Sequence, residues 1–176
     1  MRGHDEEEFV RFVEAASPRL LKAAWFLCGD PHRAEDLVQA ALEKVYLRWS
    51  RLRDDEPLAY ARRCLFTQQA DEGRRARREV LTDELPDRAA PGGEPGPVDE
   101  VVALLRTLPT RERQVVVMRH YADLSEAEVA EVLGVSVGTV KSCGSRGLAR
   151  LREANAVAGT EVVRTPGDAG EESCRA

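Results

Sequence analysis

The sequence has few of the residues that hold sheets or membrane spans together. Aromatic residues make up 5% of its 176 positions, whereas Ala, Leu, Arg and Glu are abundant, and this balance favours helices over strands. Its longest uncharged apolar run, residues 23–29, is far shorter than the ~20 residues that a membrane span requires. The acidic amino terminus also lacks the basic start of a signal peptide. A cytoplasmic location with no membrane partner is therefore expected.

Cysteine and histidine are too scattered to form a recognisable metal or redox motif. Cys28, Cys64, Cys143 and Cys174 make no CxxC pair, and the first three fall on apolar faces of predicted helices, which favours buried free thiols. The sequence also has no phosphate-binding loop, nucleophile elbow or HExxH motif. We therefore predict no catalytic residues, no cofactor and no metal, and we expect that the protein is not an enzyme.

Acidic charge is unevenly placed. The chain has a net charge of −5, yet residues 1–79 are neutral and residues 101–153 carry a net charge of +2. The acidic excess lies in residues 80–100 and 154–176. Because salt screens charges beyond about 10 Å, the local balance matters more than the total, and a nucleic-acid partner remains compatible with this sequence.

Helical periodicity predicts an all-α protein made of two small helical domains joined by a flexible linker rich in Pro and Gly. The first domain is predicted at 5–79, with helices over 5–28, 31–52 and 57–78, and a restart at Ser17-Pro18 is one possibility within the first. The acidic linker is predicted at 80–97 and spans about 60 Å when extended. The second domain is predicted at 98–153, followed by a disordered tail at 154–176.

Residues 124–152 have the pattern of a helix-turn-helix. Ser125 and Glu128 form a capping box, Gly134 suits a left-handed turn, and Ser136 starts a second helix. A polar face of short hydroxyls and cations suits base edges and phosphates in the major groove. The residues predicted to contact DNA are Ser136, Gly138, Thr139, Lys141, Ser142, Ser145 and Arg146. The alternative is a helical hairpin whose polar face is merely solvated. Gly144 and Gly147 interrupt the second helix, each at about 1 kcal/mol, and predict that it orders fully only on a partner.

Basic side chains cluster near one end of the third predicted helix of the first domain. Six arginines could each contribute a phosphate contact, or they could only compensate the helix dipole and aid solubility. They are Arg62, Arg63, Arg74, Arg75, Arg77 and Arg78. For the polar face of the second helix, periodicity alone favours a solvated surface.

Three segments resemble the extracytoplasmic-function group of RNA polymerase sigma factors, and most of all its SigE-like subfamily, which is common in actinobacteria. They are GDPHRAEDLVQAAL at 29–42, PLAYARRCL at 57–65, and LRTLPTRERQVVVMRHYADLSEAEVAEVLGVSVGTVKS at 105–142. The resemblance implies two partners, core RNA polymerase and promoter DNA, and regulation by an anti-sigma protein as a third interaction.

The same resemblance implies a division of labour. The helix containing Glu35, Asp36, Leu37, Val38 and Gln39 would dock on the clamp helices of the polymerase β′ subunit. The acidic loop at 53–56 and the following helix, with Thr67, Asp71 and the six arginines, would capture the unpaired strand of the downstream promoter element. Residues 124–152 would read the upstream element.

One part of the family pattern is missing. Members of the family usually carry Asn and then one or two Trp in the third helix, where this chain has Thr67, Glu72 and Gly73. Aromatic side chains stack on unpaired bases, so their loss weakens or alters strand capture. Two alternatives therefore stand beside a sigma factor: a helix-turn-helix regulator independent of polymerase, and a degenerate sigma-like protein that binds polymerase or an anti-sigma protein without opening promoters.

Overall fold

The computed structural model describes residues 3–79 and 96–158, and these form eight α-helices, one π-helical turn and no strand. The first stretch contains α1 (Gly3–Cys28), α2 (Pro31–Tyr46), α3 (Trp49–Leu52) and α4 (Pro57–Glu79). The second contains α5 (Pro97–Arg106), α6 (Thr110–Val116), the π-helical turn (Val117–Tyr121), α7 (Glu126–Leu133) and α8 (Val137–Ala158). The prediction of an all-α protein is confirmed.

The first helix runs straight through its proline. Pro18 lies inside α1, and the possible restart at this point does not occur. The hydroxyl of Ser17 donates to the carbonyl oxygen of Val13 at 2.6 Å, within the same helix. Leu20, Ala24 and Leu27 recur at helical spacing and are buried, so this face of α1 packs into the core.

The second helix is shorter than predicted. The pattern over 31–52 indicated one helix, but α2 ends at Tyr46 and α3 begins at Trp49. The turn between them brings the buried Trp49 ring to 5.2 Å from the rings of both Phe9 and Phe12 of α1. Burying this large aromatic side chain accounts for a break that periodicity cannot show.

The helix-turn-helix forms as its local signals predict. The Ser125 hydroxyl accepts from the Glu128 amide at 3.2 Å, and the Glu128 carboxylate accepts from the Ser125 amide at 2.7 Å. Gly134 has the left-handed φ of 64° that the turn requires. The Ser136 hydroxyl accepts from the Thr139 amide at 3.1 Å and caps α8. That helix extends to Ala158, so residues 154–158, predicted as part of the tail, are helical.

The two glycines inside α8 are packing residues, and the prediction that they interrupt the helix is wrong. A Cβ on Gly147 would lie 2.8 Å from Val116 Cγ2, and a Cβ on Gly144 would lie 3.4 Å from Val115 Cγ1. The absence of a side chain at Gly147 therefore lets α6 and α8 approach closely, whereas a methyl group at Gly144 would make an ordinary contact. The resulting contact compensates the intrinsic helix penalty of glycine.

The two helical units pack directly on each other. Helix α4 lies against α7, and α1 lies against α5 and the π-helical turn. The rings of Phe26 and Tyr121 meet edge to face across this boundary at 5.0 Å, and buried residues of both units form one hydrophobic core. Of the predicted linker, residues 80–95 lie outside the described part of the chain, as do residues 159–176 of the tail. None of the helices in the described ranges has the length and apolar character of a membrane span.

Candidate DNA-binding and partner-binding surfaces

The amino-terminal half of α8 brings the predicted major-groove residues together on one accessible face. Gly138, Lys141, Ser142 and Ser145 are exposed, and Thr139 is half-buried. The buried Val140 and Cys143 hold the opposite face against the core. Ser136 differs from the others because its hydroxyl already caps the helix.

The two cations of this face, Lys141 and Arg146, differ in how firmly each is held by a carboxylate of the same unit. Lys141 Nζ lies 3.6 Å from a carboxylate oxygen of Glu126, and both side chains are accessible, so the pair is weak and easily exchanged for a phosphate. Arg146 Nε lies 3.2 Å from Glu112 Oε1, and Arg150 Nε lies 3.2 Å from Glu112 Oε2. The Glu112 side chain is only 7% exposed. Arg146 is therefore partly committed to neutralising a buried carboxylate.

The arginines of α4 do not form a single basic surface at one helix end. Arg62 and Arg63 lie near the start of α4, and Arg74 lies about 16 Å further along the helix axis. Arg62 donates to the Ala122 carbonyl oxygen at 3.2 Å, and Arg63 pairs with Glu131. Arg74 also donates to a carbonyl oxygen of the second helical unit, that of Leu133. Three of the predicted strand-binding arginines therefore contact the second unit.

The other predicted strand-binding residues are distributed along the second half of α4. Thr67 is half-buried, Asp71 pairs with Arg74, and Arg75 is exposed. Arg77 and Arg78 belong to α4, but their side chains lie outside the described residues.

Where the family pattern has Trp, this chain has the polar Glu72 and then Gly73, which has no side chain. Glu72 binds Arg33 of α2 at 3.1 Å. A Cβ on Gly73 would meet nothing within 4 Å, so the surface at Gly73 is open.

The predicted polymerase-binding residues of α2 divide into an exposed and a buried set. Glu35, Asp36 and Gln39 are exposed, and Gln39 donates to Glu43 at 3.4 Å. Leu37 and Val38 are buried in the core. Leu37 is therefore a packing residue that cannot face a partner, which corrects its assignment to the binding set.

Beside this exposed set, α1 and α2 enclose an apolar groove of about 660 Å³. It is lined by Phe9, Val13, Ser17, Leu21, Glu35, Val38, Gln39, Leu42, Glu43, Tyr46 and Leu47. The sequence analysis did not predict Tyr46 and Leu47 as binding residues, and the structure shows Leu47 to be 81% exposed. The sequence contained a signal for them, because both are large apolar residues out of phase with the buried stripe of α2.

The shifted pKa values of Glu128, Cys28 and His120 arise from helix capping and from burial. Hydrogen bonds from the Ser125 hydroxyl and amide hold the pKa of Glu128 below its usual value. Burial raises the pKa of the Cys28 thiol, and burial beside Arg119 lowers the pKa of His120. Cys64 is half-buried and Cys143 is buried, while Cys174 falls outside the described ranges. No group of three or more metal-ligating side chains is found within those ranges.

Comparison with known families places both helical units in one class of protein. Residues 12–79 match the family described as sigma-70 region 2, and residues 99–151 match the family described as sigma-70, region 4. These two regions define a transcription initiation factor of the sigma-70 type, a class without catalysis of its own.

Relatives identify the group within that class. The chain is 39% identical over 150 residues to the RNA polymerase sigma-E factor of Streptomyces avermitilis, covering 83% of this chain and 84% of the relative. It is 38% identical over 150 residues to the sigma-E factor of Streptomyces coelicolor, covering 83% and 85%. The chain belongs to the extracytoplasmic-function RNA polymerase sigma factors and is SigE-like.

Solved structures show the same fold. The sigma factor RpoE of Bartonella quintana, in complex with the anti-sigma factor NepR, is similar with a TM-score of 0.66 at 24% identity. The match covers 86% of this chain and 98% of RpoE. CnrH in complex with the cytosolic domain of CnrY is similar with a TM-score of 0.55 at 24% identity, covering 85% and 88%.

Proposed function

We propose that this chain binds core RNA polymerase in the cytoplasm and directs initiation at specific promoters, using the α1–α2 surface for polymerase and α8 for the upstream promoter element. The observation that carries the proposal is the apolar groove lined by Glu35 and Gln39, on the same helix as the exposed Asp36. A regulator that only binds duplex DNA has no need of such a groove in its other unit. Polymerase binding therefore accounts for a feature that the simpler alternative leaves unexplained.

The groove has the chemistry of a helix-docking site. Its floor is aliphatic and aromatic, and Glu35, Gln39 and Glu43 lie along its rim. Amphipathic helices bind such grooves by inserting apolar side chains while their polar residues meet the rim. We propose that the clamp helices of the polymerase β′ subunit are the occupant, with Glu35, Asp36 and Gln39 as rim contacts and Tyr46 and Leu47 as additional apolar contacts.

The accessible face of α8 supports major-groove recognition. Its hydroxyl groups and glycine allow close approach to base edges, and Lys141 is available for a phosphate or a guanine. Arg146 contributes less than the sequence suggested, because turning towards DNA would leave the buried Glu112 carboxylate with Arg150 as its remaining described ion-pair partner. The predicted downstream-element residues of α4 remain part of this proposal, with Arg75 being the exposed one.

A second candidate, a sigma-like protein that binds polymerase without opening promoters, is supported by one observation. Gly73 presents no side chain where an aromatic residue could stack on an unpaired base. An anti-sigma protein is a further proposed partner of either form, on the basis of the family resemblance.

Charge reversal on α2 tests the assignment of the polymerase surface. Asp36→Arg should reduce binding to purified core polymerase at least tenfold, because an exposed contact gains the opposite charge. Glu14→Arg is the matched control, since Glu14 is an exposed acidic residue of the same unit that lies on α1, outside the exposed set of α2. Equal loss in both variants would show that net charge, rather than the exposed set of α2, governs binding.

Reconstituted transcription separates the two candidates. With core polymerase and genomic promoter templates, the wild-type chain should produce promoter-specific transcripts, and Lys141→Ala should reduce them without weakening polymerase binding. Polymerase binding with no transcript from any template would favour the second candidate. Transcription that Lys141→Ala leaves unchanged would exclude α8 as the upstream reader.

A further inference from the structure

We propose that Glu112 is a positioning residue of the helix-turn-helix unit: its buried carboxylate holds Arg146 against α6 and so lowers the sequence-independent affinity of α8 for duplex DNA. This inference rests on the proposed function for the assignment of the α8 face to duplex DNA. The restraint on Arg146 itself rests on contacts between α6 and α8, which belong to the same helical unit.

The Glu112 carboxylate has little access to water. Its side chain is 7% exposed, whereas the side chains of Arg146 and Arg150 are 57% and 54% exposed. Removing a cationic partner from a buried carboxylate is strongly destabilising, because the desolvated charge is left uncompensated. The two arginines therefore stabilise Glu112, and the carboxylate in turn restrains the arginines.

The two arginines are not held equally. Arg146 Nε donates to Glu112 Oε1 at 3.2 Å, and Arg146 Nη2 donates to Cys143 Sγ at 3.4 Å, so two of the three guanidinium nitrogens are engaged. Arg150 Nε lies 3.2 Å from Glu112 Oε2, yet within the described ranges this oxygen has no partner with hydrogen-bond geometry. Arg146 is therefore the firmly held cation, whereas Arg150 is held by charge alone.

Packing fixes Glu112 in place beneath α8. A Cβ on Gly147 would lie 3.4 Å from Glu112 Cβ and 3.4 Å from the Glu112 carbonyl oxygen. The missing side chain at Gly147 thus lets the backbone of Glu112 come close to α8. Because the surrounding atoms are closely packed, the carboxylate has little room to follow Arg146 towards a bound duplex.

A DNA phosphate competes poorly for a cation that is held in this way. Phosphates on a duplex are solvated and screened by salt, whereas a buried carboxylate attracts its partner through a medium of lower dielectric constant. An arginine that reaches a phosphate strengthens binding to any sequence, because it releases counterions from the duplex. Restraint of Arg146 therefore removes a contribution that does not distinguish sequences. Contacts from the rest of the α8 face to base edges then make up a larger share of the affinity, which favours discrimination.

Removing the charge of Glu112 tests the inference in the full chain. Glu112→Gln nearly preserves the size of the side chain and frees Arg146 to bind a phosphate. It should tighten binding to a labelled duplex of unrelated sequence about fivefold and steepen the salt dependence by about one phosphate contact. A purely structural role predicts the opposite sign, because a misplaced α8 would bind DNA less well. Fluorescence anisotropy between about 50 and 200 mM salt measures both quantities.

Further variants separate the restraint of Arg146 from a change in net charge. Glu153→Gln removes the same charge from an exposed position about two helical turns beyond Arg146 on α8, and it should leave duplex binding nearly unchanged. In an Arg146→Ala background, Glu112→Gln should lose its effect on the salt dependence. In an Arg150→Ala background, most of that effect should remain. Far-ultraviolet circular dichroism checks that helix content is equal in all variants.

Several results would overturn the proposal. These are equal tightening by Glu112→Gln and Glu153→Gln, weaker duplex binding by a well-folded Glu112→Gln chain, and duplex binding too weak to measure in both wild type and Glu112→Gln. An effect of Glu112→Gln that persists without Arg146 would also overturn it.

If Glu112→Gln loses helix content, nuclear magnetic resonance of the wild-type chain decides. The signal of the Arg146 Nε–H group, identified by its loss in Arg146→Ala, should be protected from exchange with water. It should keep this protection when unrelated duplex is added to saturation, and loss of protection would show that Arg146 leaves Glu112 for a phosphate. Transcription plays no part in these measurements, so failure of the proposed function and failure of this restraint are distinguishable.

Discussion

At the scale of single residues, the clearest local device is the capping box of α7. The Glu128 carboxylate accepts hydrogen bonds from both the amide and the hydroxyl of Ser125, and its pKa is lowered from the usual 4.5. Because the pKa in the folded state lies below that of the unfolded chain, ionised Glu128 stabilises the fold above about pH 4.5. This stabilisation is lost as the pH falls through the folded-state pKa.

Glu128→Gln should therefore lower stability at neutral pH by about 0.3 kcal/mol, a small effect because solvent screens this exposed carboxylate, and the difference from wild type should shrink as the pH falls below 4.5. Ser125→Ala provides the comparison, because it removes the hydroxyl cap and should cost about 1 kcal/mol at neutral pH. Urea unfolding between pH 3 and 7 measures both. A Glu128→Gln difference that persists unchanged at pH 3 would contradict the electrostatic explanation.

At the scale of elements, the seam between α6 and α8 explains why α8 contains a glycine at position 147. Gly147 lies where a methyl group would collide with Val116, whereas Gly144 leaves room for ordinary contact with Val115. Close approach of these helices positions Arg146 and Arg150 on Glu112, which in turn fixes the rotation of α8 about its axis. The direction in which the exposed face of α8 points thus depends on how closely the opposite face of α8 packs against α6.

The two glycines should respond in opposite directions to the same substitution. Gly147→Ala should destabilise the chain by about 1–2 kcal/mol, because overpacking against Val116 outweighs the gain in helix propensity. Gly144→Ala should be neutral or stabilising by up to about 1 kcal/mol. Thermal unfolding of the two variants measures the difference, and equal shifts would show that propensity, rather than packing, governs this seam.

At the scale of the whole molecule, the two units share one core although the sequence predicted two domains joined by a flexible linker. Residues of both units belong to a single buried cluster, and Phe26 of α1 meets Tyr121 of the π-helical turn edge to face. Lys22 Nζ lies 5.7 Å from the Phe26 ring centroid and 5.9 Å from the Tyr121 ring centroid, which adds a cation–π contact to the pair. The units are therefore energetically coupled in the free chain.

A double-mutant cycle measures this coupling. Phe26→Leu and Tyr121→Leu each remove the ring contact, and the coupling energy between them should be about 1 kcal/mol in chemical unfolding. A coupling energy near zero in the free chain would mean that the two units unfold without sensing each other.

How far the sequence predicts this protein depends on the distance over which each interaction acts. Caps, turns and apolar periodicity involve residues three or four apart, so the capping box at Ser125, the turn at Gly134 and the exposed face of α8 are all predictable from the sequence. The break after Tyr46 and the π-helical turn were not, because contacts made elsewhere in the fold decide them.

The sequence by itself determined most of the helices and the helix-turn-helix, since each depends on local pattern, and three of its segments carry the family resemblance. Only the tertiary structure decided which predicted site residues are available to a partner. Arg62, Arg63 and Arg74 bind groups 59–68 positions away in the chain, and no local pattern contains that information. Leu37, which the family resemblance assigned to the polymerase-binding set, is likewise buried. The physical reason is that availability depends on what packs over a side chain, and the covering residues come from the other helical unit or from distant helices of the same one.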